Sequence, residues 1–321
     1  MSDYVTLEVQ SGKETAWGTS VTPTAKLMGV EKISLKPKVE AVKYPDQRGS
    51  YAPGFIADIA KVSGEGSFES LLTYEDVNYW LEGVVGAVTP SGAGPYTRDG
   101  SAPLGSEATP RSQTIAYGNS DGVYGGNGVI PSKLSLKFPY GDVARVSGDL
   151  LAKEVVGDAL AVLSDRTVNP VMGDQVSLYI DAWAGTVGTT QFTDTIFSVE
   201  IEIDAQKSLK HGLGSLTPVD HKGMAWMGVL KARLEFGAAS KAYLDAIVAG
   251  SALFQRQVRV EMSNGTESAY FDFAGYSPEG PEVFSEEDGV VAVEFTLEGL
   301  YNPAMGNWFA YQTINAVSAL P

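Results

Sequence analysis

No cysteine occurs in the 321 residues, which excludes disulfides, thiolate metal sites and cysteine nucleophiles. Histidine is almost as scarce. His211 and His221 lie ten residues apart in a polar stretch, with no third ligand at metal-site spacing. Positive charge is short too: 23 basic residues face 39 acidic ones, a net charge of −16. Sequence-independent nucleic-acid binding needs clustered Lys and Arg to neutralise phosphate, and such clusters are missing. No apolar run is long enough for a membrane-spanning helix. The opening MSDYVTLEVQSGKETAWG lacks a basic stretch followed by an apolar core, so no secretory leader is expected.

Motifs for chemistry are equally thin. GKET (12–15) lacks the earlier Gly of a phosphate-binding loop, because Leu7 stands there. SEEDG (285–289) lacks the spacing of a calcium loop and reads as a hairpin turn. GNSDGVYGGNG (118–128) reads as turns joining two strands. Trp80, Trp226 and Tyr243 are not surrounded by bases, which argues against a base-stacking platform. No carboxylate pair is singled out for glycoside hydrolysis, although a β-sandwich can host one. No catalytic residue, cofactor or metal ligand is expected.

What is plentiful is Gly (36), Pro (16) and short alternating runs, the mix of strands and turns. GVEKISLKPKVE (29–40) puts Ile33 and Leu35 on one face and Lys32, Ser34 and Lys36 on the other. SVEIEID (198–204) sets Val199, Ile201 and Ile203 opposite Glu200, Glu202 and Asp204. Thr73, with Asp76 three residues on, starts a helix whose apolar side holds Val77, Trp80, Leu81 and Val84. Ser240 starts a second helix with Tyr243, Leu244, Ile247 and Val248.

The order strand, long loop, strand, capped helix, hairpin occurs twice. Val62 to Val229 and Thr73 to Ser240 are shifts of 167 residues; Tyr124 to Tyr270, Phe138 to Phe284 and Asp142 to Asp288 are shifts of 146. A Gly/Pro/Ser-rich insertion at 88–112 accounts for the difference. The reading is an internal duplication: a mainly β chain with domains at 1–160 and 161–321, each with one flanking helix.

GKETAWGTSVTPT followed by KISLKP resembles the opening of major tail tube proteins of long-tailed, non-contractile phages. YGDVARVSGDLLAKE and VVAVEFTLEGLYNPAMG are similar to the same family. The resemblance implies tandem β-sandwich or half-barrel domains and a structural virion protein of the tail, assembled in the host cytoplasm, with no catalytic residues. It also implies rings of six domains, here three copies of a duplicated chain, stacked into a tube that conducts DNA during ejection. Partners would be the chain itself, a tape-measure protein and passing DNA in the lumen, and terminator and tip proteins at the ends, without a membrane. The alternative is a carbohydrate-binding or hydrolytic β-sandwich protein.

On that basis the loops at 41–60 and 205–224 are expected to reach the neighbouring ring, with Pro45, Asp46, Gln47, Arg48, Tyr51, Lys210, His211 and Leu213 as contact candidates. Residues 1–165 carry 14 basic and 20 acidic groups and 166–321 carry 9 and 19. Lys32, Lys36 and Lys38 are therefore expected to meet Glu200, Glu202 and Asp204 where domains touch. A lumen of net negative potential would let DNA slide without adhering.

Overall fold

The computed structural model describes residues 7–44, 57–107, 109–248, 254–280, 282–287 and 289–320. Seventeen strands form one hydrogen-bonded network, and two more form a separate hairpin. The mainly β class read from the sequence is borne out.

In chain order the first part contains β1 (Glu8–Lys13), β2 (Ala25–Lys26), β3 (Val30–Lys43), β4 (Ala57–Leu71), α1 (Val77–Val85) and β5 (Tyr96–Ser101). It continues with β6 (Gln113–Asn119), β7 (Gly122–Pro139), β8 (Arg145–Ala152) and β9 (Glu154–Gly157). The second part contains β10 (Val176–Ala182), β11 (Ile196–Asp204), β12 (Ser208–Lys210), β13 (Asp220–Lys222), β14 (Met227–Glu235) and α2 (Ala238–Val248). Then come β15 (Gln255–Ser263), β16 (Ser268–Tyr276), β17 (Glu282–Glu287), β18 (Val290–Gly299) and β19 (Phe309–Asn315).

Two sheet patterns recur. One pattern pairs β1 with β6, β6 with the start of β7, and that start with β9; later the same pattern pairs β10 with β15, β15 with β16, and β16 with β19. The other sheet runs β3, β4, β8, end of β7, then β11, β14, β18, β17, all antiparallel. One rung crosses four strands as Val30–Ser70–Val146–Leu136. Its later counterpart is Ile196–Leu234–Val293–Val283. A β-bulge follows Val30 on β3 and follows Ile196 on β11, at the same rung.

These rungs differ from the register that matching letters suggest. Val283, not Phe284, takes the place held by Leu136; Phe284 is skipped at a bulge and has φ 65°. Pairing partners fix a rung, whereas a shared Phe or Val fixes only composition.

Alternation explains which face is buried. Leu134, Leu136 and Phe138 of β7 and Val199, Ile201 and Ile203 of β11 point into the core. Phe68 stacks on Trp80 of α1 with ring centroids 3.6 Å apart. Asp76 is the N-cap of α1, and its N–H donates to Thr73 Oγ1 at 3.1 Å, so the helix starts later than Thr73 itself. The second helix starts earlier, at Ala238; Ser240 Oγ accepts from Gly237 N and donates to Glu235 O.

The Gly-rich run after Asn119 is strand rather than turn. Only Ser120 and Asp121 connect β6 to β7, with Asn119 opposite Gly122. The insertion at 88–112 contributes β5, which pairs with β19 from Ser101–Ala310 to Tyr96–Asn315.

Candidate functional site

The sheet β3-β4-β8-β7-β11-β14-β18-β17 has a core face and a polar face, and its two ends are open. Among the described residues β3 pairs only with β4 and β17 only with β18. Unpaired strand edges are templates for pairing with another chain.

The polar face is striped by sign. Bases stand on β3 (Lys32, Lys36, Lys38), β7 (Lys133, Lys137) and β14 (Lys231). Acids stand between them on β4 (Glu65, Glu69) and β11 (Glu200, Glu202), and beyond β14 on β18 (Glu294, Glu298). Lys32 pairs with Glu69 at 2.9 Å and Lys38 with Glu65 at 2.7 Å, both within the β3·β4 hairpin. These partners hold the Glu69 carboxyl below its ordinary range and the Lys38 ammonium above it.

At the middle of the sheet β7 pairs with β11 over seven consecutive rungs, Lys133–Asp204 to Pro139–Ser198. Lys133 Nζ lies 3.1 Å from Glu202 and Lys137 Nζ 3.3 Å from Glu200, which also accepts from Ser135 Oγ at 2.7 Å. The hydrogen bond to Glu202 raises the Lys133 pKa. Asp204 instead accepts from the backbone N–H of Gln206 at 2.7 Å. Within one chain, then, Glu200 and Glu202 meet lysines of β7, and Lys32 and Lys38 meet glutamates of β4. Lys36 stands opposite Glu65. The structure does not bring the β3 lysines to β11.

The loop candidates divide. Pro45, Asp46, Gln47, Arg48 and Tyr51 lie outside the described residues. The strands beside them reach Lys43 and restart at Ala57, beyond the last β4·β8 rung at Gly64–Ala152. This arm exposes Val39 (51%) and Ile59 (53%). In the second stretch Lys210 closes the β12·β13 hairpin opposite Asp220, so 205–224 is not structureless. His211 follows β12 half-buried, and Leu213 is fully exposed. Leu216 O accepts from Val62 N at 2.8 Å, joining this hairpin to the base of the arm. His221 packs edge-on to Trp17. Among the described residues no His, Asp and Glu group is placed to hold a metal, and no helix is long and apolar enough to cross a membrane.

A second polar cluster, missed by sequence reading, is buried beside α1. Glu82 lies 3.5 Å from Arg98 Nε and 4.0 Å from Arg111 Nε, and all three residues are at least 96% buried. Burial raises the Glu82 pKa and lowers those of both arginines. Arg98 Nη1 donates to Asn315 Oδ1 at 3.4 Å, and Thr313 Oγ1 donates to Asn78 Oδ1 at 2.9 Å. The cluster ties α1 and β5 to β19. Charged residues on a helix ordinarily signal its solvent side, so nothing local in the sequence announces it.

A family profile described as phage tail tube protein matches residues 7–299. No curated protein matches the chain. With nearly its whole length matched, this chain belongs to the phage tail tube protein family and is a structural component of the virion.

Proposed function

We propose that this tail tube protein polymerises as a ring-forming subunit in which each chain supplies two of six equivalent places. Three copies close the ring, the striped sheets merge into one barrel around a lumen, and rings stack into the conduit for DNA ejection. The chain carries out no catalysis. The observation behind this reading is the β7·β11 junction, where two four-strand ladders with matching rungs already join edge to edge within one chain. The free edges β3 and β17 are the outer strands of those same ladders. Pairing or covering relieves a strand edge, and closure into a barrel removes edges altogether.

In this reading the two parts are copies of one unit, with the boundary near residue 160. The striped face looks into the lumen, where interleaved signs give passing DNA no continuous basic track to adhere to. The tape-measure protein occupies the same lumen during assembly in the host cytoplasm, and terminator and tip proteins cap the ends. The β3·β4 arm and the β12·β13 hairpin reach the next ring, where the exposed Val39, Ile59 and Leu213 would be covered. Electron microscopy of the concentrated protein, with and without a tail-tip initiator, tests this. Hollow tubes of stacked rings with threefold chain symmetry are expected; a chain that stays dispersed in both conditions overturns the reading.

A further inference from the structure

The closed junction and the open edges carry the same arrangement with the signs exchanged. At β7·β11 the bases belong to β7 and the acids to β11. On the open edges β3, which holds the place of β11, presents Lys32, Lys36 and Lys38. β17, which holds the place of β7, reads EVFSEE, with three acids and no base.

The closed junction also supplies a register. Leu136 stands opposite Ile201. Leu136 and Val283 occupy one rung, opposite Val146 and Val293. Leu35 and Ile201 occupy another, each the fifth residue after the one that precedes the bulge, Val30 and Ile196. Transferring the junction sets Val283 opposite Leu35 and Glu282 opposite Lys36. The bulge after Val283 then brings Glu287, rather than Glu286, opposite Lys32.

We propose that β17 of one copy pairs antiparallel with β3 of the next in this register, and that the exchanged polarity dictates which edges meet. The inference rests on the ring-forming reading above. Four kinds of contact between a β7-type or β17-type edge and a β11-type or β3-type edge are conceivable between such units. β7 with β11 and β17 with β3 set base against acid. β17 with β11 sets acid against acid, and β7 with β3 sets base against base; like charges directly opposite destabilise a strand pair. The two like-edge dimers, β3 with β3 and β17 with β17, are disfavoured for the same reason. Exclusion of these self-complementary contacts leaves head-to-tail joining, the kind that closes rings or extends filaments. Within the chain Lys32 already pairs with Glu69, and Glu287 with Arg233 at 2.8 Å. The new contact therefore extends existing ion-pair networks.

The test uses the full chain with Lys36→Glu, Glu282→Lys and the two combined, each verified as folded by its thermal transition. Lys36→Gln is included because it adds no repulsion toward Glu65. Assembly is read by sedimentation and electron microscopy as the concentration at which rings or tubes appear. Each single reversal is expected to raise that concentration about 10-fold, Lys36→Gln less, and the combined variant to return to within about 2-fold of wild type. Wild-type assembly that is indifferent to the single reversals, or a folded combined variant no better than either single, overturns the charge-coded junction and leaves the tube reading standing. Failure of the wild-type chain itself to assemble with an initiator overturns both.

Discussion

The two helices occupy matching places in the chain order, between β4 and β6 and between β14 and β15, yet their surroundings are opposite. Every residue of α1 is buried, including Asn78 and Glu82. In α2 only Ser240 is buried; Tyr243 and Ile247 face the core, and Lys241 and Asp245 face water. The difference comes from what lies beyond each helix. α1 is covered by β5 and by β19, which arrives from more than 200 residues away, whereas nothing among the described residues covers the outer side of α2. Burial here is set by a distant neighbour rather than by the helix's own periodicity.

The largest expected effect comes from emptying the buried helix. Trp80→Ala removes the ring stacked on Phe68 and should cost about 3–5 kcal/mol in urea unfolding, whereas Ile247→Ala on α2 should cost clearly less. Equal losses at the two sites would break the contrast. Next is Glu82→Ala, which leaves Arg98 and Arg111 buried without their shared carboxylate and should destabilise by about 3–5 kcal/mol. If Arg98→Met added to Glu82→Ala recovers part of that loss in a double-mutant cycle, the cost lies in the uncompensated charge.

A third effect depends on pH. Lys207 donates from Nζ to Gly83 O on α1 at 2.6 Å, and burial of this ammonium lowers its pKa to about 7. The folded chain then binds fewer protons than the unfolded chain between pH about 7 and the ordinary lysine value. Stability contributed by this group should therefore rise as pH increases through that window and be flat below it. Chemical denaturation at stepped pH should show the slope, and Lys207→Met should remove it. The smallest change expected is on the exposed helix: Asp245→Ala breaks the 2.6 Å pair with Lys241 and should cost about 0.5 kcal/mol or less.

These contrasts also show what the sequence could and could not convey. Alternation located β11, β14 and β18 within a residue or two, because one face of each is buried and period two is local information. Helical spacing placed Trp80 and Leu81 of α1 inward for the same reason. The covering of Glu82 was illegible, since it depends on β5 lying beside β19, a pairing between segments more than 200 residues apart. The β3 lysines and β11 glutamates were legible as charged strand faces. Their partners were not, because facing residues follow from strand order, and strand order places β4 beside β3 and β7 beside β11. The β12·β13 hairpin escaped notice because three-residue strands lie below the length at which alternation is informative.

The pairing of β5 with β19 also orders events in time. β5 precedes its partner β19 by more than 200 residues, so the pair can form only after residue 315 has been made. Until then α1 has its buried glutamate and asparagine without their cover, so a nascent chain holds an unfinished first part however long it waits. Maturation of the fold is thereby coupled to synthesis of nearly the whole described chain. A fragment that ends before residue 309 would carry the β3 edge but lack the strand that covers α1.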